Sequence, residues 1–427
     1  MRYRFSKVLS GLGCSMLLCL AAVRAPAAEP GRGQPQWVEA WATALQSIPE
    51  LRNPPPLYRA PEVGNRTVRE IVYPTLSGER VRLRLSNAYG HAPLVLTDVR
   101  LARSAAGAAT KPPASAPVTF GGHASIELLP GQEIESDAIS FKLDAGLAYA
   151  VSAHAAPGQV LGAWHRVANQ VNYVSAPGDH AGDPGASAYP TRFTEHAWVT
   201  GISVETAGAS AVAAIGDSIT DGMRSSLDQN RRWPDALARR LAQAGERSTA
   251  VLNLGISGNR LLSDSPCYGE ALERRFGRDV LARPGVKATI VMIGINDINF
   301  ASMPPRKGLD CDEPHTRVAA RDLIEGYRRL VAASHARGIR IFGATLTPAS
   351  LPAERESVRQ AVNGWIRTGG GFDGVVDFDA ALRDGARPDR LRAEYDSGDH
   401  VHPSDAGYAA MARAVPLEAV VAAARGR

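Results

Sequence analysis

The fold class that this sequence predicts is an all-β, sandwich-like domain followed by an α/β domain with a parallel sheet of about five strands. Three observations carry that reading. The run "VRLRLS" sets Val81, Leu83 and Leu85 against Arg82, Arg84 and Ser86, the alternation of a half-exposed antiparallel strand. Near-continuous apolar runs such as "AVAAI" and "KATIVMIG" alternate with helical segments later in the chain, the pattern of a parallel sheet covered on both faces. The change from one pattern to the other falls near Ala207, and 427 residues exceed what a single core usually holds.

Before that change, "TVREIVYP", "LVLTDVRLA", "SIELLPGQEI", "ISFKL", "AYAVSAHA" and "AWVTGISVE" read as further short strands separated by Gly, Pro, Asn and Asp. Several such strands suggest a β-sandwich. The stretch from Ser104 to Pro117, "SAAGAATKPPASAP", has the composition of a flexible surface loop. After the change, "AVAAI", "TAVLNLG", "KATIVMIG", "IRIFGATL" and "GVVDFD" read as five strands. The helices between them include "RWPDALARRLAQAG", "ALERRFGRDVLAR", "ERESVRQAVNGWIR" and a long one that puts Leu323, Tyr327, Leu330 and Val331 on one face and stops at Gly338. A single closing helix is expected from "SDAGYAAMARAVPLEAVVAAA", with Ser404 as its N-cap.

The first 28 residues read as a removed secretory signal. Arg2, Arg4 and Lys7 precede a short apolar stretch from Val8 to Val23, and Ala25-Pro26-Ala27 offers small residues for cleavage. The expected division is therefore a leader over 1–28, a β-rich domain over 29–208 and an α/β domain over 209–427. The expected location is periplasmic or extracellular, with no stable membrane insertion once the leader is gone. Lys plus Arg number 48 and Asp plus Glu 43, a net charge of +5 with no long run of one sign, so nucleic acid is not an expected partner. Cys14 and Cys19 leave with the leader. Cys267 and Cys311 remain, and an oxidising compartment favours a disulfide between them over two free thiols. No metal or other cofactor is expected, since His315 alone lies near either cysteine at a ligand's spacing. Oligomeric state is left open by the sequence.

In open parallel sheets, ligands bind beyond the carboxyl ends of the strands, and the residues just past each strand here form a chemically coherent set. Gly216-Asp217-Ser218 follows the first, "NLGISGNRLL" with Gly258 belongs to the second, "GINDIN" with Asn296 follows the third, and "DSGDHVHPSDAGY" with Asp399 and His402 follows the fifth. A serine hydroxyl is a weak nucleophile unless a base takes its proton, and His402 is a base of suitable strength. Asp399, three residues before it, can fix the ring's tautomer. The backbone N–H of Ser218, the N–H of Gly258 and the amide of Asn296 can donate to a tetrahedral oxyanion. Glycine at 258 lets backbone approach a substrate with no Cβ in the way. His400 competes with His402 as base, and Asp396 with Asp399 as the orienting acid. Asp217 and Asp297 are expected to accept backbone hydrogen bonds and shape their turns.

These blocks resemble those of the SGNH (GDSL) hydrolase superfamily. Gly216-Asp217-Ser218-Ile219 stands for its serine block, with Ile where Leu is frequent, and Gly294 to Asp297 and Asp399 to His402 match two others. The resemblance spans about residues 209–425. It implies a flavodoxin-like three-layer fold and metal-free ester hydrolysis, with Ser218, Gly258, Asn296 and His402 as the four name-giving residues. The N-terminal half, with "WVEAWATA" and "VRLRLSNAYG", is similar to secreted bacterial members that carry a β-rich module, closest to a subgroup linked to xylan-degrading esterases. The implied substrate is an ester, with O-acetyl groups on polysaccharide favoured. A lipase, lysophospholipase or aromatic-ester esterase on the same residues is the first rival reading. A carbohydrate-binding protein with a vestigial hydrolase half is the second.

Two further expectations concern the surroundings. The long segment 300–316 is read as a substrate-wall loop tied by a Cys267–Cys311 bridge to the loop after Gly258. Trp37, Trp41, Trp164 and Trp198 are read as core aromatics before sugar-stacking platforms, and "AWHRVANQVNYVS" as the place to look for an exposed aromatic.

Overall fold

The alternation in residues 81–86 is the seed of the first sheet. The computed structural model describes residues 34–112 and 115–426, and the expected leader, with Cys14 and Cys19, lies outside them. The strand Gly78–Ser86 buries Val81, Leu83 and Leu85 completely and leaves Arg82 and Arg84 partly exposed. Ser86 departs from the pattern: it is buried, and its hydroxyl accepts from the N–H of Ala88. Gly78–Ser86 pairs antiparallel with Val199–Ala207, Glu133–Glu135 and Ile139–Leu143, and Pro35–Ala42 adds to the far side of Val199–Ala207. A second, seven-stranded antiparallel sheet is built around Arg66–Val72, Tyr149–Ala155 and Leu94–Arg103. The inward residues of both sheets, such as Leu83 and Val151, share one core.

Strands such as Pro35–Ala42 and Asn172–Pro177 were not legible from alternation, because they bury polar side chains: Glu39 and Asn172 are both fully buried. The flexible-loop expectation for Ser104–Pro117 needs correction. Ala116–Val118 is an edge strand paired with Val99–Leu101, and Ser104 bridges Thr110. Backbone pairing with an open sheet edge overrides an Ala/Pro/Ser composition there.

Pairing turns parallel at Ser210, three residues after Ala207. Ser210–Gly216 lies between Thr249–Gly255 and Val286–Met292, followed by Arg340–Ala344 and Gly374–Val376, and all four pairings are parallel. This is the expected five-stranded sheet. The first three strands are apolar and almost wholly buried under helices such as Trp233–Gln243 and Ala320–His335, whose Leu323, Tyr327 and Leu330 face inward. Ser404 caps the helix Asp405–Ala414 through the N–H of Gly407. The single closing helix of the sequence reading is two, Asp405–Ala414 and Leu417–Ala424. Pro416 lacks the N–H that a continuous helix needs and pushes Val415 into extended geometry, φ −65° and ψ 126°.

Thr249–Gly255 is an edge of the parallel sheet, and the β-rich half covers it. Thr75 Oγ1 donates to Val251 O at 3.0 Å and accepts from Val251 N at 2.9 Å. Glu39 N donates to Pro284 O, and Arg283 reaches back to the carbonyls of Thr200 and Thr43. Val38 and Ala40 of the β-rich half pack in one continuous apolar cluster with Ala250 and Leu252. An unpaired apolar edge of that kind invites aggregation when bare. Residues 209–427 expressed alone are therefore expected to yield little soluble monomer by size exclusion and no cooperative melt. A monodisperse fragment that melts cooperatively would contradict this account of the shared core.

Candidate functional site

Ser218 sits where the strand Ser210–Gly216 stops. A Cβ on Gly216 would lie 2.2 Å from Met292 O, so only glycine lets the chain pass between its neighbours. Asp217 then caps the short helix Ser218–Asp221, accepting from Ile219 N at 3.0 Å. Ser218, as the first helical residue, has its N–H in the turn where backbone donors lack intrahelical acceptors. Its Oγ lies 2.9 Å from Nε2 of His402, and Nδ1 of His402 lies 2.8 Å from Oδ2 of Asp399. A carboxylate only accepts, so Nδ1 carries a proton, and Nε2 faces the Ser218 hydroxyl. Burial pushes the Asp399 carboxyl up, but hydrogen bonds from the His402 backbone and ring, the His402 charge and the N–H of Val401 outweigh it. They hold Asp399 well below the usual carboxylate range. Arg224 also donates to Asp399, at 3.1 Å.

The competitors separate from this chain. His400 has φ +66° and a side chain 68% exposed, and pairs with Asp396 at 2.6 Å. Of the two candidate pairs, Asp399 and His402 are the one that meets Ser218.

Asn296 lies on the short helix Ile295–Phe300 and is nearly buried. Its Nδ2 donates to Asn259 O at 3.0 Å, which fixes the amide and leaves a second N–H on the same nitrogen. Asp297 accepts from the N–H groups of Leu261 and Leu262 at 2.8 and 3.0 Å, tying the Asn296 helix to the loop that carries Gly258. Both turn-shaping acids therefore accept backbone N–H groups. The structure gives a further reason for glycine at 258: φ is +83°, and a Cβ would lie 2.3 Å from the ring of Tyr268. The missing side chain makes room for a protein aromatic.

Arg275 escaped the sequence reading. It is fully buried and donates to Gly216 O, Leu254 O and Asn259 Oδ1 at 2.9–3.0 Å. Its signal was present: in Leu272–Phe276 it shares a face with Leu272 and Phe276, three and one residues away, both buried. Asp221, at the other end of the Ser218 helix, was also missed and is likewise buried.

Cys267 and Cys311 form a disulfide with their Cα atoms 5.1 Å apart, joining the two loops that the sequence paired. Arg260 adds hydrogen bonds to the carbonyls of Asp312 and Pro314 in the same segment, at 3.0 and 3.1 Å. Trp164 and Trp198 are buried, Trp41 meets His196 edge-on, and Arg82 lies over the ring of Trp37 at 4.2 Å. "AWHRVANQVNYVS" presents no exposed aromatic, since Trp164 and Tyr173 are both buried.

Residues 214–410 match the model of the GDSL-like Lipase/Acylhydrolase family, so the α/β half carries a domain of that family. No curated protein matches the chain. Similar solved structures include a catalytic mutant of the acetylxylan esterase Axe2 from Geobacillus stearothermophilus, at 23% identity and TM-score 0.37, over 50% of this chain and 95% of that one. LAE5, an alpha/beta hydrolase from the metagenome of Lake Arreo, aligns at 23% identity and TM-score 0.36, over 51% and 95%. A GDSL-like lipase from Bacteroides thetaiotaomicron aligns at 17% and TM-score 0.35, over 50% and 88%.

Burial raises Asp217 from 3.8 to about 7, with the nearby charges of Asp297 and Asp221 adding to the rise and the Ile219 N–H and Arg275 opposing it. Between those two values the folded state holds a proton that the unfolded chain has released, so folding stability falls as pH rises through that window. Asn has the shape of the neutral acid and keeps the acceptor for Ile219. Asp217→Asn is expected to gain melting temperature relative to wild type on going from about pH 4.5 to about pH 8. Equal shifts for both proteins in thermal melts at the two pH values would show that Asp217 is not the group responsible.

Proposed function

We propose that this chain, with its GDSL-like lipase/acylhydrolase domain, is an exported serine esterase that removes short acyl groups, O-acetyl above all, from carbohydrate through an acyl-enzyme. The observation that carries the reading is the hydrogen-bonded chain from Ser218 through His402 to Asp399. His402 takes the Ser218 proton as Oγ attacks the ester carbonyl carbon, and Asp399 stabilises the imidazolium that forms. The tetrahedral oxyanion is met by the N–H groups of Ser218 and Gly258 and the free amide N–H of Asn296. The bond to the alcohol oxygen then breaks, and His402 returns its proton to the leaving alcohol. Water, deprotonated by the same ring, attacks the acyl-enzyme and frees the acid and Ser218.

Two observations support the finer parts of the proposal. Among the described residues the exposed large apolar side chains are Leu57, Leu129, Val160 and Leu227, with Leu227 alone from the α/β half. A long-chain lipase needs a contiguous apolar surface for its acyl chain, so this surface favours short acyl groups. The Cys267–Cys311 bridge suits an oxidising compartment and, with the leader-like residues 1–28, supports export. The preference for carbohydrate as the alcohol rests on the resemblance of the N-terminal half.

Ser218→Ala is expected to abolish turnover of a short p-nitrophenyl ester while leaving the circular dichroism spectrum unchanged, and Asn296→Ala to lower kcat by about 10²–10³-fold. Wild type is expected to release acetate from acetylated polysaccharide and to slow as the acyl chain lengthens. Undiminished hydrolysis by Ser218→Ala would remove the mechanism, and rates that climb with chain length would favour the lipase reading.

A further inference from the structure

We propose that His165, which belongs to the β-rich half, is a positioning residue for this reaction, holding the nucleophile helix and the oxyanion loop together through Asp221. The inference rests on the esterase reading and adds to it a residue outside the hydrolase half.

Ser218–Asp221 is a single turn of helix. A helix that short has no stability of its own, so the direction in which Ser218 points is set by what grips the turn. Asp221 closes it and is 1% exposed. One carboxylate oxygen meets Nε2 of His165 at 2.9 Å. The other accepts from both the backbone N–H and the hydroxyl of Ser257, at 2.8 and 2.6 Å. Ser257 directly precedes Gly258. Asp221 is thus one anion gripping two segments, and each segment brings a proposed oxyanion donor to the site.

The third grip comes from the β-rich half. His165 is 4% exposed, and its Nδ1 faces Ala44 O at 2.9 Å. Both ring nitrogens therefore face acceptors, which only the doubly protonated imidazolium satisfies. Burial alone lowers its pKa, but the charge and hydrogen bond of Asp221 outweigh burial and leave it raised. His165 and Asp221 form a buried ion pair, and removing one member of such a pair leaves the other an uncompensated charge. Neighbouring residues of the same segment grip the chain just beyond the helix. Asn169 donates to Gly222 O, and Val171 N donates to Asp228 at 2.6 Å. By this account the β-rich half completes the reaction scaffold.

A purely structural pin would change melting temperature and leave turnover per folded molecule alone. A positioning residue changes kcat with little change in KM, because misplacing a nucleophile by about 1 Å costs up to about 10²-fold. The test is His165→Ala, His165→Gln and Ser257→Ala in the full chain, assayed on a p-nitrophenyl ester, with folding checked by circular dichroism and Ser218→Ala as the blank. His165→Ala is expected to lose roughly 10- to 100-fold in kcat with KM within about three-fold, and to react more slowly with a fluorophosphonate by a similar factor. His165→Gln, which can still donate to Asp221, is expected to recover part of that loss. Folded His165→Ala with wild-type kcat overturns the proposal. If His165→Ala does not fold, wild-type kcat in both His165→Gln and Ser257→Ala overturns it instead, and a several-fold loss in either upholds it. Wild-type turnover no greater than the Ser218→Ala blank would be a different failure, that of the esterase reading itself.

Discussion

The site hangs from a buried guanidinium. Arg275 lies behind the carboxyl ends of Ser210–Gly216 and Thr249–Gly255 and takes a carbonyl from each, Gly216 O and Leu254 O, together with Oδ1 of Asn259. Those carbonyls are where parallel pairing stops and two chains must leave in different directions. Gly216 O also accepts from Ile256 N at 3.1 Å, so the guanidinium adds a second donor there and couples that carbonyl to Leu254 O of the neighbouring strand. Arg's flat fork of donors serves all three acceptors at once, which a lysine could not do. Burial lowers the Arg275 pKa, but from a starting value so high that the group stays charged, and Asp279 at 3.0 Å compensates it. The Gly216-Asp217-Ser218 turn and the Gly258 loop both leave from this fixed point.

Four aspartates crowd the same end of the sheet, and their surroundings divide the work among them. Asp399 is held ionised by N–H donors and by His402, which suits the orienting role proposed for it. Burial instead pushes Asp217 to about 7 and Asp297 to about 6, against the backbone donors that each accepts. When it holds its proton, such an acid braces a turn without adding a negative charge beside the proposed oxyanion donors. Asp221 keeps company with a cationic His165, so its charge is cancelled by a partner. A carboxylate position in the sequence thus says little about charge until its burial and donors are known.

That is also why the sequence was legible in some places and opaque in others. Ser218 and Asn296 could be singled out because each is an unusual residue type just past an apolar strand, whereas Asp399 and His402 lie well beyond the strand Gly374–Val376, after the helix Phe378–Leu382, and were legible from their own spacing. His402 could be preferred to His400 because three residues from Asp399 allow a ring-to-carboxylate bond inside a turn. A further demand for glycine at 258, the ring of Tyr268 ten residues on, carried no local signal. His165, Glu39 and Thr75 carried no local signal. Their partners lie across the two halves, and a lone His, Glu or Thr in a strand pattern reads as an outward-facing polar residue. The break at Pro416 was legible from proline chemistry and was overridden by a strong run of helix formers.

The cross-half contacts have a common physical cause. A doubly wound sheet has two open edges, and the strand Thr249–Gly255 lies at one of them, beside the strand that leads into Ser218. The β-rich half seals that edge with apolar side chains and with the Thr75 hydroxyl. An all-β body fixed there can also send a loop past the carboxyl ends of the same strands. The loop 165–171 does so, and that course brings His165 to Asp221 and Asn169 to Gly222. Closing a sheet edge and bracing a short helix are then one arrangement. The burial of Glu39 with neither oxygen hydrogen-bonded among the described residues, 3.9 Å from Arg283, shows what that seal costs in polar groups. Burial holds this carboxyl near 7, against the pull of Arg283.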